Sequence, residues 1–269
     1  MAKRHGCTPL HYTLSNEAAI QLIKQGADPN ALDNDGIKPL FTAFTNEQED
    51  LAHLLFKFTT NLNDRNLRGQ TSLHTAAELG KYTLLNLLLE TNLDVNAKND
   101  FGETPLARAV KWGRPDAQNR VMKLLIDRGA DVNATANIGM AILEFAIRYR
   151  TFECVKILID GGADVKALVK YSGYIDPKVG TLLHLAAAYG CLSVIKLLID
   201  VGIDINSRSA CGDSALMVAV EEHQSSAVEV LLQVGADIDL RNPVGETALD
   251  LALIQKQSVW SQAPASCQE

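Results

Sequence analysis

Long apolar runs are missing from this sequence. No stretch of its 269 residues approaches the ~18 consecutive apolar residues of a membrane span, although 47% of them are hydrophobic. The N-terminus, Met1-Ala2-Lys3-Arg4-His5-Gly6, starts charged but has no apolar segment of the secretory-signal kind. Cysteine is sparse: Cys7, Cys154, Cys191, Cys211 and Cys267 are odd in number and widely spaced, which argues against a disulfide framework and against a C-x-x-C metal site. Reduced thiols in the cytoplasm, with the nucleus as the alternative compartment, are the expectation. Basic charge is short as well. The 25 Lys and Arg against 32 Asp and Glu leave a net charge of −7, which speaks against a general nucleic-acid binder. No polybasic run offers itself to a membrane surface, and no G-x-x-x-x-G-K-[ST] loop offers itself to a nucleotide. Aromatic residues make up only 6% of the chain, so any local gathering of them carries information.

What the sequence has is repetition. Gly69-Gln-Thr-Ser-Leu-His74 is followed by Ala76-Ala77, Leu87-Leu88-Leu89 and Asp94-Val95-Asn96. Gly102-Glu-Thr-Pro-Leu106 opens the next round, which closes on Gly129-Ala130-Asp131-Val132-Asn133. Gly36, Gly69 and Gly102 stand 33 residues apart, as do Val179, Gly212 and Gly245. A 33-residue period that opens on a T-P-L-H-like step resembles the ankyrin-repeat family, from about Gly6 to Gln257. Eight units then start at Gly6, Gly36, Gly69, Gly102, Gly139, Val179, Gly212 and Gly245, the last truncated. The resemblance implies an all-α solenoid of helix-turn-helix units with short β-turn fingers over residues 6–257. Residues 258–269, with Pro264, are expected to be a disordered tail.

The physics of one unit agrees. Thr71 precedes the apolar run that starts at Leu73, so its hydroxyl is a candidate helix cap. Ala76 and Ala77 allow a neighbouring helix to approach closely, and Gly80 ends the first helix. Leu84, Leu85, Leu87, Leu88 and Leu89 give the second helix a broad apolar face that only neighbouring units can bury. Gly129 and Gly235 suit the left-handed position after such a helix, and Asn92 is expected to serve there in the third unit.

The units are uneven, and unevenness is where function is sought. The first is three residues short near Ser15-Asn16, the fourth has four extra residues around Arg114-Pro115-Asp116-Ala117, and the fifth has seven extra within the finger Leu168 to Lys178. Insertions in repeat proteins map to loops, often on the binding face; the finger insertion is either a partner-contacting loop or a spacer. In the family, partners touch the finger tips and the exposed end of each first helix. The matching helix positions here are Thr45 and Asn46, Glu78 and Leu79, Lys111 and Trp112, Arg148 and Tyr149, Ala188 and Tyr189, and Glu221 and Glu222. Finger positions add Leu67, Arg68, Asp100, Phe101, Ile138 and Met140. The middle of the stack thus gathers Phe101, Trp112, Tyr149, Tyr189 and also Tyr171 and Tyr174, with Arg108, Lys111 and Arg148 among them. Aromatics and arginine dominate interface energetics. A partner segment docked across units three to six and anchored on Trp112 and Tyr149 is one reading; rings that pack between first helices and seal the stack are the other.

Chemistry finds little purchase. His11, His74 and His184 share one repeat position, where the family's imidazole bonds locally and bridges adjacent units. His5, His53 and His223 join no metal-ligand pattern. Cys7 and His11 lie close in sequence, but Cys7 falls at a variable place and is not expected to be a nucleophile. The expected role is therefore a non-enzymatic protein-binding module, an adaptor, scaffold or inhibitor that is monomeric alone and needs no cofactor. The alternative is an ankyrin module of a larger or effector-type protein such as a toxin, channel or ubiquitin-ligase adaptor. In eukaryotic members the asparagine of the Asp-Val-Asn step is a hydroxylation target when leucine stands eight residues earlier. Asn30, Asn63, Asn96, Asn133 and Asn206 meet that condition, though turn and core requirements explain the same residues.

Overall fold

The computed structural model describes residues 6–113, 115–135, 140–149, 151–171 and 178–254. The chain divides into two compact units, residues 1–142 and 143–269. The first holds a short 3-10 helix, Pro9–Tyr12, and seven α-helices: α1 Asn16–Lys24, α2 Pro39–Thr45, α3 Glu49–Phe56, α4 Ser72–Glu78, α5 Tyr82–Leu89, α6 Pro105–Trp112 and α7 Pro115–Asp127. The second holds α8 Ile142–Arg148, which begins at the border residue, α9 Phe152–Asp160, β1 Val169–Tyr171 and β2 Lys178–Gly180. It continues with α10 Leu182–Ala188, α11 Leu192–Asp200, α12 Ala215–Glu221 and α13 Ser225–Gln233. Residues 248–254 are a further helix.

The inner repeats pair a seven- or eight-residue first helix with a second helix, the first repeat has the four-residue 3-10 helix in that place, and neighbours stack like on like. In the first compact unit α4 packs on α6 and α5 on α7; in the second α10 packs on α12, α9 on α11 and α11 on α13. Alanine makes the first-helix stack close: Ala76, Ala77, Ala186 and Ala187 are fully buried. Leu84, Leu85 and Leu88 are equally buried on the second-helix side. Pro9, Pro39 and Pro105 start their helices where a missing N–H costs nothing. Thr104 and Ser214 accept the Ala107 and Met217 amides at 3.3 Å, as N-caps should. The Thr71 hydroxyl instead lies 2.9 Å from His74 Nδ1, so the cap works through the imidazole.

Helix ends follow the expected glycines at Gly80 and Gly129, with φ of +68° and +86°. Asn92 does not take the left-handed conformation. The third repeat's second helix ends at Leu89, and beyond it the Thr91 hydroxyl donates to Leu88 O at 2.6 Å and the Thr91 amide to the same carbonyl at 3.1 Å. Asn61, at φ +51°, is the asparagine that does adopt it.

Both long insertions gain structure. Of the four extra residues of the fourth repeat, Pro115, Asp116 and Ala117 open α7, which runs to 13 residues, and Arg114 lies outside the described residues. Gln118 of α7 donates to Ala109 O and Val110 O at 2.9 Å each, satisfying the carbonyls at the end of α6. The described flanks of the finger insertion are strands: β1 and β2 pair antiparallel with Val169 opposite Gly180 and Tyr171 opposite Lys178, and residues 172–177 lie outside the described residues.

Candidate functional site

In the first compact unit the finger ends and first helices border a groove of about 860 Å³. Its finger side carries Asp33, Asn34, Asp35, Asn66, Leu67 and Arg68; its helix side carries Phe41, Thr42, Thr45 and Asn46 of α2 and its end, and Thr75, Glu78 and Leu79 of α4 and its end. Asp33 Oδ1 receives the Asp35 and Ile37 amides at 2.9 and 2.8 Å, so this carboxylate shapes the finger itself.

A chain of polar side chains then runs along the helices. Asn66 donates to Gln70 at 2.8 Å and Gln70 to Glu78 at 3.2 Å. Arg108 binds Glu78 and, at 3.0 Å, Glu103, which also takes Lys111 at 2.8 Å and Asn99 at 3.1 Å. Burial alone would raise the Glu103 carboxyl, but the bonds from Lys111, Asn99 and Arg108 outweigh it and hold the pKa below its usual value. Arg108 is only 6% exposed and committed to two carboxylates. It is therefore a positioning residue under the surface and not the exposed contact expected from its place in the sequence. Trp112 stands above it, 55% exposed, with the Arg108 and Lys111 cations 5.6 and 5.4 Å from the ring centre. Phe101 is 51% exposed at its finger tip. Met140 is half-buried, and Ile138 lies outside the described residues.

The second compact unit repeats the theme with different residues. Arg148 donates to Glu144 at 2.9 Å, to the Tyr189 hydroxyl at 2.8 Å and to Lys170 O. Tyr149 stacks on Phe145 at 4.1 Å between ring centres and stays 64% exposed, whereas Tyr189 is half-buried. Tyr171 is a correction: at 1% exposure it is a core ring, not a contact. It lies against His184, 5.5 Å between ring centres, in space left by Gly180. Burial pushes its hydroxyl up to about 12. Tyr174 lies outside the described residues. Lys178 anchors the hairpin by binding Asp213 at 3.2 Å and Glu221 at 2.5 Å. Burial would lower its pKa, but these two carboxylates raise it.

The three motif histidines act as beams between repeats. Nδ1 of His11, His74 and His184 meets the amide of the threonine three residues before, at 3.1, 3.1 and 3.2 Å. Nε2 reaches the next repeat at Ile37 O, Glu103 O and Asp213 O, at 2.9, 2.9 and 3.0 Å. Accepting an amide at Nδ1 and facing a carbonyl at Nε2 fixes the neutral tautomer with the proton on Nε2. The same repeat position holds Met217 and Asp250 later in the chain; there sulfur and carboxylate accept the Ser214 and Thr247 amides.

Two ladders of inter-repeat hydrogen bonds go beyond what the sequence offered, which gave no role to the arginines and only turn, core or hydroxylation roles to the asparagines. Arg65 and Arg208 stand four residues before Gly69 and Gly212 and donate to those carbonyls at 2.9 and 2.8 Å. Each also donates to the carbonyl 33 residues on, Lys98 O and Arg241 O, at 2.6 Å. The asparagines form the second ladder. Asn30, Asn96 and Asn206 accept the amides of Thr60, Asp131 and Asp237 from the following repeat at 2.7–2.9 Å. The recurrence of both residue types at fixed register was the available signal. Among the described residues no three His, Cys, Asp or Glu side chains are placed to hold a metal, and no helix is long and apolar enough to cross a membrane.

Comparison with known proteins completes the picture. The family described as ankyrin repeats (3 copies) matches residues 10–99, 73–169, 165–242 and 183–259. No curated protein matches the chain. Among solved structures, the human ASB11 ankyrin repeat domain is similar at 24% identity and a TM-score of 0.64, over 85% of this chain and 99% of that one. The repeat register, the histidine beams and the family match agree: the chain belongs to the ankyrin-repeat family.

Proposed function

We propose that the protein is a non-enzymatic binding module that captures a protein partner on its finger tips and first-helix ends. Ankyrin repeats are in general protein–protein interaction modules. The observation that carries the reading is the exposure of Phe101, Trp112 and Tyr149, three large rings at half exposure or more in a chain with few aromatics. Exposed rings beside pre-arranged charges are the composition of interface hot spots. Lys111 in the first compact unit, and Arg148 and Tyr189 in the second, belong to these contact patches, with Met140 at the margin. Arg108 supports Trp112 from beneath. A cytoplasmic setting, in which cysteines such as Cys7 and Cys154 stay reduced, is part of the same proposal.

The test is affinity capture with the whole chain as bait, compared with Trp112→Ala and Phe101→Ala baits of equal helical content. A partner retained by the wild-type chain and lost by both variants supports the reading. A partner held equally by all three removes these rings from the site. Hydroxylation of Asn30, Asn63, Asn96, Asn133 or Asn206 is a subsidiary proposal. Peptide mass spectra of the protein from eukaryotic cells, with no added oxygen at any of the five, would dispose of it.

A further inference from the structure

We propose that the groove of the first compact unit receives an arginine side chain from an extended partner segment. The inference rests on the partner-binding reading and names the chemistry of that partner. The groove opens where the stack is irregular. α4 packs closely on α6, but α2 does not pack closely on α4. The repeat register gives the cause: the second repeat has Phe41 and Phe44 where the third has His74 and Ala77. Both rings are buried, and a ring in the place of a methyl group keeps the neighbouring helix at a distance. Phe41 has no ring nitrogen, so the imidazole beam that His11, His74 and His184 send to the next repeat is missing at this junction.

The lining says what enters. A volume of about 860 Å³ falls within the ~300–1,000 Å³ span of ligand clefts. Phe41, Leu67 and Leu79 supply apolar wall. Arg68 is the only cation among the lining residues, against the carboxylates of Asp33, Asp35 and Glu78. Arg108 offsets the charge of Glu78 from outside the groove, so the finger pair Asp33 and Asp35 is what draws a cation in. An arginine suits both parts of this lining. Its stem covers apolar surface, and its planar fork donates to two carboxylates at once. One repeat further on, the positions of Arg68 and Leu79 are taken by Phe101 and Trp112. Close-packed helices such as α4 and α6 lie about 8–10 Å apart, a distance that an extended chain covers in about three residues. The segment therefore carries a large apolar side chain three residues from its arginine, placed against Phe101 and Trp112.

The test is selection from a displayed library of random nonapeptides by the full chain, followed by titration of a fluorescein-labelled selected peptide. Selected sequences are expected to share an arginine with a large apolar residue three places away. Alanine in place of that arginine should weaken the peptide at least about tenfold. Asp35 and Arg68 are exposed, so their variants should keep the wild-type Tm. Asp35→Asn should lower affinity and Arg68→Gln should raise it, each by about threefold or more at low salt and less at high salt. A general structural disturbance would not move the two in opposite directions. Selection of acidic peptides, or no selection at all, overturns the inference. So does a selected peptide that needs Trp112 but is indifferent to Asp35→Asn and Arg68→Gln, and that result leaves the partner-binding reading in place. Dependence on Asp35 and Arg68 that survives Trp112→Ala supports the arginine site and removes the ring from the partner's path.

Discussion

A hydrogen atom at Gly180 decides where a ring can lie. A Cβ there would stand 2.7 Å from Tyr171 Cε1 and 2.9 Å from His184 Cγ, so any side chain must displace one of two packed rings. Gly180→Ala should destabilise the second compact unit by about 1–3 kcal/mol, read by urea titration. The buried histidines set a pH dependence. Burial lowers the pKa of His74 and His184 from the ordinary 6.5, outweighing the bonds to Glu103 O and Asp213 O. Above that value both folded and unfolded imidazoles are neutral and no stability is lost. As pH falls through it, the unfolded chain takes up protons that the folded chain refuses, so stability drops toward acid. Glu103, whose folded pKa is depressed, adds a loss of the same sign at lower pH. Denaturation series between pH 8 and pH 5 should show this slope, shallower in His74→Asn/His184→Asn even though that variant starts less stable. A flat wild-type profile would contradict the assignment.

At the scale of elements, sequence and structure part company where an insertion had to find a role. The repeat glycines, helix starts and apolar faces were legible because each is dictated by local geometry: Gly80 by its positive φ, Pro105 by its fixed one, Leu84 by burial on a helix face. The fate of Tyr171 was not legible. Its burial depends on strand pairing that brings it beside Gly180 and on the histidine beam behind, both long-range consequences of the hairpin. Arg108 misled for a similar reason: its two carboxylates come from α4's end and from the finger before α6. Tyr171→Ala should cost about 3 kcal/mol by emptying that space. Amide exchange should show the loss in β1, β2 and α10, and partner affinity at Trp112 should stay unchanged.

For the whole molecule, contacts run between neighbouring repeats, so energetic effects should stay local. Leu88→Ala, which empties a fully buried site in α5, should speed amide exchange in α4 to α7 and leave α10 to α13 protected. Uniform loss across both compact units would mean stronger coupling than nearest-neighbour stacking provides. The polar chain Gln70–Glu78–Arg108–Glu103–Lys111 and the Arg148–Glu144–Tyr189 cluster hold first-helix ends in fixed positions beneath exposed rings. Preset side chains lose less freedom on binding, which favours a recognition surface over mere sealing of the stack. The alternative reading of the rings, as packing, makes the opposite demand on stability. The direct measurement is titration of an isolated partner against Trp112→Ala and Tyr149→Ala, with Tm recorded for each. The account predicts a loss of at least ~30-fold in affinity, about 2 kcal/mol, with Tm within a few degrees of wild type. Unchanged affinity together with a collapsed Tm would show that the rings hold the stack and not a partner.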